Sequence, residues 1–168
     1  MNRQNAFGFC AIAAIALALL PSHLGAQQGT LRQQLVGAWT IVSWQGTAPN
    51  GTRREITNPK GLLIFDVAGR YAQVIARDDR PKFKSPSEPT AEELAAATED
   101  FFTANAGTWT VSKGEKLLIQ EFDAALGPDN EGTVFRTVIS LSGDELRLVS
   151  VRPLPTGERI DVAYRRAK

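Results

Sequence analysis

From Trp39 onward, apolar and polar residues alternate in short runs that turn residues interrupt at fairly regular spacing. That pattern predicts β-strands. The runs are Trp39 to Gln45, Leu62 to Phe65, Tyr71 to Arg77, Thr108 to Ser112, Lys116 to Phe122, Thr133 to Leu141, Glu145 to Val151 and Arg159 to Arg166. The fold class is therefore mainly β. Eight strands in up-and-down order can close into an antiparallel barrel, which leaves no sheet edge exposed.

Two helical segments break the series. Thr30 to Val36 reads as a short helical turn with Leu31 and Leu35 on one side. Between the third and fourth strands, Thr90 precedes Glu93 in the capping-box pattern. Leu94, Ala97, Phe101 and Asn105 then recur at helical spacing. This one inserted helix is expected to cover an end or a side of the barrel. The stretch Asp78 to Pro89, rich in proline and charge, reads as a surface loop.

Hairpin turns say which side chains face inward. With Gly143-Asp144 as a two-residue turn, Leu141 faces Leu146, Ile139 faces Leu148 and Thr137 faces Ser150. With Lys113-Gly114 as a second such turn, Trp109 faces Leu118. The inner face then holds Trp109, Leu118, Phe122, Phe135, Ile139 and Leu148, with Leu141 and Leu146. Glu121, Arg136, Glu145 and Arg147 fall outside. A slip of one residue would invert the assignment.

The N-terminus changes the picture of the available chemistry. One positive charge, Arg3, precedes an unbroken apolar run of fourteen residues, Phe7 to Leu20. Such a run is short for a membrane span, which needs roughly twenty residues. With Pro21 and small residues after it, residues 1–26 read as a signal peptide cleaved after Ala26, and 27–168 as one domain. An uncleaved anchor is the competing reading. Processing would remove both the only cysteine, Cys10, and the only histidine, His23. No disulfide, imidazole acid–base pair, Ser-His-Asp triad or Cys/His metal site could then form. Neither a metal nor another cofactor is expected. The expected location is the periplasm or the outside of the cell, with no transmembrane segment left after leader removal.

The whole chain has 19 Lys+Arg and 18 Asp+Glu, so loss of Arg3 leaves 18 of each sign. A neutral chain without a long basic block is a poor nucleic-acid binder. No phosphate-binding glycine loop is present.

Four segments in order carry a family resemblance. They are Leu35 to Trp44, with Gly37-Ala38-Trp39; Asn58 to Phe65, leading into Gly69 and Tyr71; Ala76 to Pro81; and Ala106 to Val111. Together they make the chain resemble a bacterial lipocalin-like domain family over almost all of residues 27–168. The resemblance implies an eight-stranded lipocalin-like barrel with an internal cavity. It implies no common reaction, because a fold does not fix a function. It also implies that Trp39 plugs the closed end and that a late arginine, Arg166, packs over its ring.

The candidate ligand-binding residues are Tyr71, Arg77, Phe101, Trp109, Phe122, Phe135 and Tyr164. Trp109, Phe122 and Phe135 are either plain core or a cavity wall. Phe101 and Phe102 on the helix would line the mouth. Arg77, with Arg80, could draw a carboxylate to the entrance, unless Asp78 and Asp79 neutralise them. Tyr71 and Tyr164 offer phenols as polar anchors or sit buried. Glu121 and Arg136 read as an exterior ion pair. The leading function is binding of a small apolar or amphipathic molecule. A cofactor-free isomerase, cyclase or lyase in the same cavity is the alternative, and a barrel that only supports partner contacts is a third. The sequence leaves oligomeric state open.

Overall fold

The computed structural model describes residues 30–99, 101–114, 116–154 and 157–168. The proposed signal peptide lies outside the described residues. The strands are β1 (Gly37–Thr47), β2 (Arg53–Glu55), β3 (Pro59–Phe65), β4 (Arg70–Arg77), β5 (Phe101–Val111), β6 (Leu117–Ala125), β7 (Val134–Ser142), β8 (Glu145–Ser150) and β9 (Arg159–Arg166). Helix α1 spans Leu31–Leu35 and α2 spans Ala91–Glu99. β1 pairs antiparallel with β3, each strand from β3 to β8 pairs antiparallel with the next, and β9 returns to pair with β1. Eight strands therefore close a barrel. The short β2 lies alongside the far end of β1, where Gln45 to Thr47 would otherwise present an open edge.

The capping box expected at α2 forms, and α1 has one as well. Thr30 caps α1 with Gln33 as its reciprocal partner. At α2, the Thr90 hydroxyl accepts from the Glu93 N–H while the Glu93 carboxylate accepts from the Thr90 N–H. The second helix is shorter than its spacing predicts. It ends at Glu99, and Phe101 and Asn105 belong to β5. Ladder pairing wins there: Gln73 pairs with Asn105 and Ile75 with Thr103 along β4 and β5. None of the described residues of α2 is buried, so its own apolar face gains little from packing. Nor is any helix among the described residues long and apolar enough to cross a membrane.

The β7–β8 hairpin has the register that its two-residue turn implies, with Leu141 opposite Leu146, Ile139 opposite Leu148 and Thr137 opposite Ser150. The β5–β6 hairpin does not. Val111 pairs with Leu118 and Trp109 with Gln120, because the turn runs to four residues and Lys116 takes a positive φ of 52°. A slip of two residues preserves the face of every side chain, so Trp109 and Leu118 still point inward.

The core fills one end of the barrel. Trp39 is fully buried, and its indole N–H donates to the Leu35 carbonyl at 2.8 Å. Arg166 lies over its ring, as the resemblance implies. Beside it, Phe65 and Trp109 pack with ring centroids 4.6 Å apart. The Trp109 indole donates to the Asp66 carbonyl at 3.2 Å, and Arg32 from α1 covers its ring. Helix α1 and the β3–β4 turn thus close this end. The loops after β4, β6 and β8 gather at the other.

Candidate functional site

Above the closed end, strand alternation places a layer of uncharged polar residues on the inner face. Gln73 follows Tyr71 on β4, Gln120 follows Leu118 on β6, and Thr137 lies one inward step beyond Ile139 on β7. Each is thus the next inward residue after an apolar one at the closed end. Gln73 and Asn105 are directly paired. Gln120 and Thr137 are diagonal neighbours, since Gln120 pairs with Phe135 and Leu118 with Thr137. The Gln73 side-chain amide donates to the Tyr164 hydroxyl at 2.6 Å, linking two strands that are not neighbours in the barrel.

This layer forms the floor of a cavity of about 760 Å³ that opens at the loop end. The walls above it are apolar and include Trp44, Ile75, Phe122, Phe135, Leu148 and Val162. The volume lies in the range of about 300–1,000 Å³ typical of sites for small molecules. Formal charge is confined to the exposed rim. Asp129, Arg136 and Arg152 stand there, and Asp129 is the only carboxylate among the described lining residues.

Two of the four floor residues are buried. Gln120 and Thr137 are 3 % and 2 % exposed. Among the described residues, the Gln120 Nε2, Thr137 Oγ1 and Asn105 Oδ1 atoms are buried without a hydrogen-bond partner. Asn105 uses its amide N–H on the Thr103 hydroxyl at 2.7 Å, which leaves its carbonyl unmatched. Tyr164 is buried, and burial raises its phenol well above the ordinary value near 10.

The candidates from the sequence divide into three groups. Phe122, Phe135 and Tyr164 line the cavity. Trp109 and Tyr71 belong to the packed closed half and are not among its lining. Tyr71 packs against Phe65 and Phe122, and burial, with the nearby Asp123 carboxylate, raises its phenol too. Arg77 sits at the end of β4 and pairs with Asp79 at 2.9 Å, which holds that carboxyl below its ordinary value. Arg80 donates to the Ala97 carbonyl of α2 at 2.7 Å. The aspartate beside Arg77 therefore neutralises it, and the entrance is not a bare cationic patch. The side chain of Phe101 lies outside the described residues. Glu121 and Arg136 lie on the outer face of their strands and are exposed, as the face assignment implies, and the long Arg136 side chain also reaches the cavity rim.

Sequence reasoning missed Gln73, Asn105, Gln120 and Thr137 as a group. Their signal was a polar residue at an inward position of an otherwise apolar series, as in Leu118, Gln120 and Phe122. Also missed was the mouth cluster on β2. There Arg54 covers the Trp44 ring at 5.0 Å and pairs with Glu158 at 3.1 Å.

A closed eight-stranded barrel with a capped end, a tryptophan under a late arginine and an open cavity is the lipocalin plan. The lipocalin-like domain family matches residues 36–166. The chain belongs to that family. No curated protein matches it. As a lipocalin-like domain, the chain has an architecture suited to holding a small molecule inside the barrel. In this member the apolar wall sits over a floor of neutral amides and hydroxyls.

Proposed function

We propose that this lipocalin-like protein is exported and carries one small, mostly apolar molecule in its barrel. One observation carries the reading: an end-open cavity of about 760 Å³ with apolar walls and charge only at its rim. Apolar surface buried there contributes roughly 25 cal/mol per Å². An uncharged floor favours ligands without a formal charge at the buried end. Export rests on the leader, with its single positive charge, apolar run and small residues up to Ala26.

The enzymatic alternative is less well supported. Isomerase, cyclase or lyase chemistry needs a positioned acid or base. The one carboxylate among the described lining residues, Asp129, is exposed on the rim. Tyr164 reaches the cavity, but burial makes its phenol a weaker acid than usual.

Titration with an environment-sensitive apolar dye tests the carrier reading. Saturable binding of about one dye per chain is expected. Leu148→Phe, which narrows the lumen, should weaken binding about tenfold or more while the β-sheet signal in circular dichroism is retained. Absence of saturable binding by every apolar probe tried would defeat the reading.

A further inference from the structure

We infer that the buried end of the bound molecule is an uncharged group that both accepts and donates hydrogen bonds, of the carboxamide or lactam type. The inference rests on the carrier reading and narrows it to a ligand class.

The first ground is the set of unmatched atoms on the floor. Gln120 Nε2 is a donor, Asn105 Oδ1 is an acceptor, and Thr137 Oγ1 can be either. They sit on three adjacent strands, β6, β5 and β7. All are shielded from bulk water. Buried polar atoms are normally paired, and each one left unmatched costs about 1–3 kcal/mol. Gln120 and Thr137 are diagonal neighbours that both line the cavity, and a turn of either side chain brings its unmatched group to a partner from outside the chain; Asn105 stands nearer the mouth, opposite Ala125.

The second ground is the absence of charge in the described floor, which consists of amides and hydroxyls. An ionised carboxylate, phosphate or ammonium set there would lose its hydration without meeting an opposite charge. An anionic head would be served better at the rim, by Arg136 and Arg152. Such a ligand would bind the other way round.

The third ground is that the neighbouring pair of Gln120 and Thr137, on β6 and β7, offers a donor beside a hydroxyl that can accept. A hydroxyl concentrates all its hydrogen bonding in one atom. A primary amide offers a carbonyl oxygen with two lone pairs and a nitrogen with two N–H groups, on separate atoms. It can accept from Gln120 and donate to the neighbouring Thr137 at once. The remaining side-chain pairing supports this assignment: Gln73 already donates to Tyr164, and the Asn105 amide nitrogen already donates to Thr103.

The test compares octanamide, N,N-dimethyloctanamide and octanoate, each displacing a bound apolar dye from the full chain at about pH 8, where a carboxylic acid is ionised. The first two share a carbonyl acceptor, but only octanamide can donate. Octanamide should bind about tenfold more tightly than its dimethyl analogue, because only it can also donate, to Thr137. It should exceed octanoate by about tenfold or more. In Gln120→Leu, octanamide should lose about tenfold. Thr137→Val, a change of one atom group, repeats the test if Gln120→Leu folds poorly, and should lower the octanamide affinity by about threefold or more. Equal affinity for all three compounds would overturn the inference, leaving the floor to ordered water. So would tightest binding of octanoate with dependence on Arg136→Gln or Arg152→Gln, which puts an anionic head at the rim. If the dye binds but none of the three displaces it, the inference fails and the carrier reading stands. If no apolar probe binds at all, both fail.

Discussion

The guanidinium carbon of Arg166 stands 4.1 Å from the centroid of the Trp39 ring, and the same group donates to the Gln34 and Val36 carbonyls at 2.6 and 3.2 Å. One side chain thus ties the last strand to the first and to the end of α1. It seals the closed end over a tryptophan that has no exposure. Arg166→Ala should destabilise the fold by about 2–4 kcal/mol, combining a cation over an indole with charged hydrogen bonds to backbone. Arg166→Lys keeps the charge but not the planar fork, and should recover only part of the loss. Urea denaturation followed by tryptophan emission measures both. A cost near zero for Arg166→Ala would show that α1 and Trp39 close the barrel unaided.

Thr137→Val should have the opposite sign in the ligand-free protein. The Thr137 hydroxyl is buried without a partner among the described residues, and valine has nearly the same shape. It also keeps the branched Cβ that suits a strand. The variant should be neutral or more stable by about 1 kcal/mol. A loss above about 1 kcal/mol in chemical denaturation would mean that the hydroxyl holds an internal water in the folded protein.

Hairpin β7–β8 was legible down to its register, because Gly143-Asp144 permits a two-residue turn and leaves one pairing that buries a whole face. The β5–β6 turn was misjudged by two residues, yet the inner face survived because side chains alternate with period two. Helix α2 was overextended. Leu94, Ala97, Phe101 and Asn105 fit a helical spacing by coincidence, and the pairing of β5 with β4 overrode it. That error hid Asn105 from the site. Strand β2 was invisible, since Arg53, Arg54 and Glu55 are all exposed and have no alternation. The floor was the hardest part. Asn and Gln carry no motif, and only a closed barrel brings residues from β4 to β9 together.

The two tyrosines are the chain's only ones, and burial raises both phenols above their ordinary value. The folded state therefore holds its phenolic protons more tightly than the unfolded state. Their contribution to stability is fully present below about pH 10, the unfolded value, and is lost as pH rises above it. The sign follows because the unfolded chain then binds fewer protons. Tyrosinate absorbance should stay low while the sheet is intact and should appear together with unfolding. Ionisation of both residues near pH 10 with unchanged circular dichroism would refute the burial of these hydroxyls.

Export makes its own prediction. The leader should be removed near Ala26, so that intact mass and N-terminal sequencing of material from outside the cytoplasm find a start near Gln27. Cys10 and His23 would be lost with it. A chain that retains Met1 and partitions with the membrane fraction would replace export by anchoring.

Ligand occupancy should be reported by Trp44, one of the chain's three tryptophans. Trp39 and Trp109 both lie in the packed closed half, each with an arginine at its ring and its indole N–H bonded to a backbone carbonyl. Neither belongs to the described lining of the cavity. Trp44 does line it, at the end of β1 nearest the mouth, and Arg54 covers its ring from β2. An apolar ligand entering the lumen displaces water beside that indole and shifts its emission to shorter wavelength. Trp44→Phe should therefore abolish most of the ligand-induced change while leaving the affinity within about threefold, since phenylalanine keeps most of the apolar surface. Trp109→Phe should leave the change intact, although it removes a buried indole and lowers stability by about 1–3 kcal/mol. Arg54→Ala separates contact from access: it loosens the cover on Trp44 and the pair with Glu158 without altering the floor. Faster association and dissociation with a nearly unchanged equilibrium constant are expected in stopped-flow fluorescence. If Trp109→Phe, and not Trp44→Phe, removes the signal, the ligand reaches the closed half, and the polar layer of Gln73, Gln120 and Thr137 is not the floor.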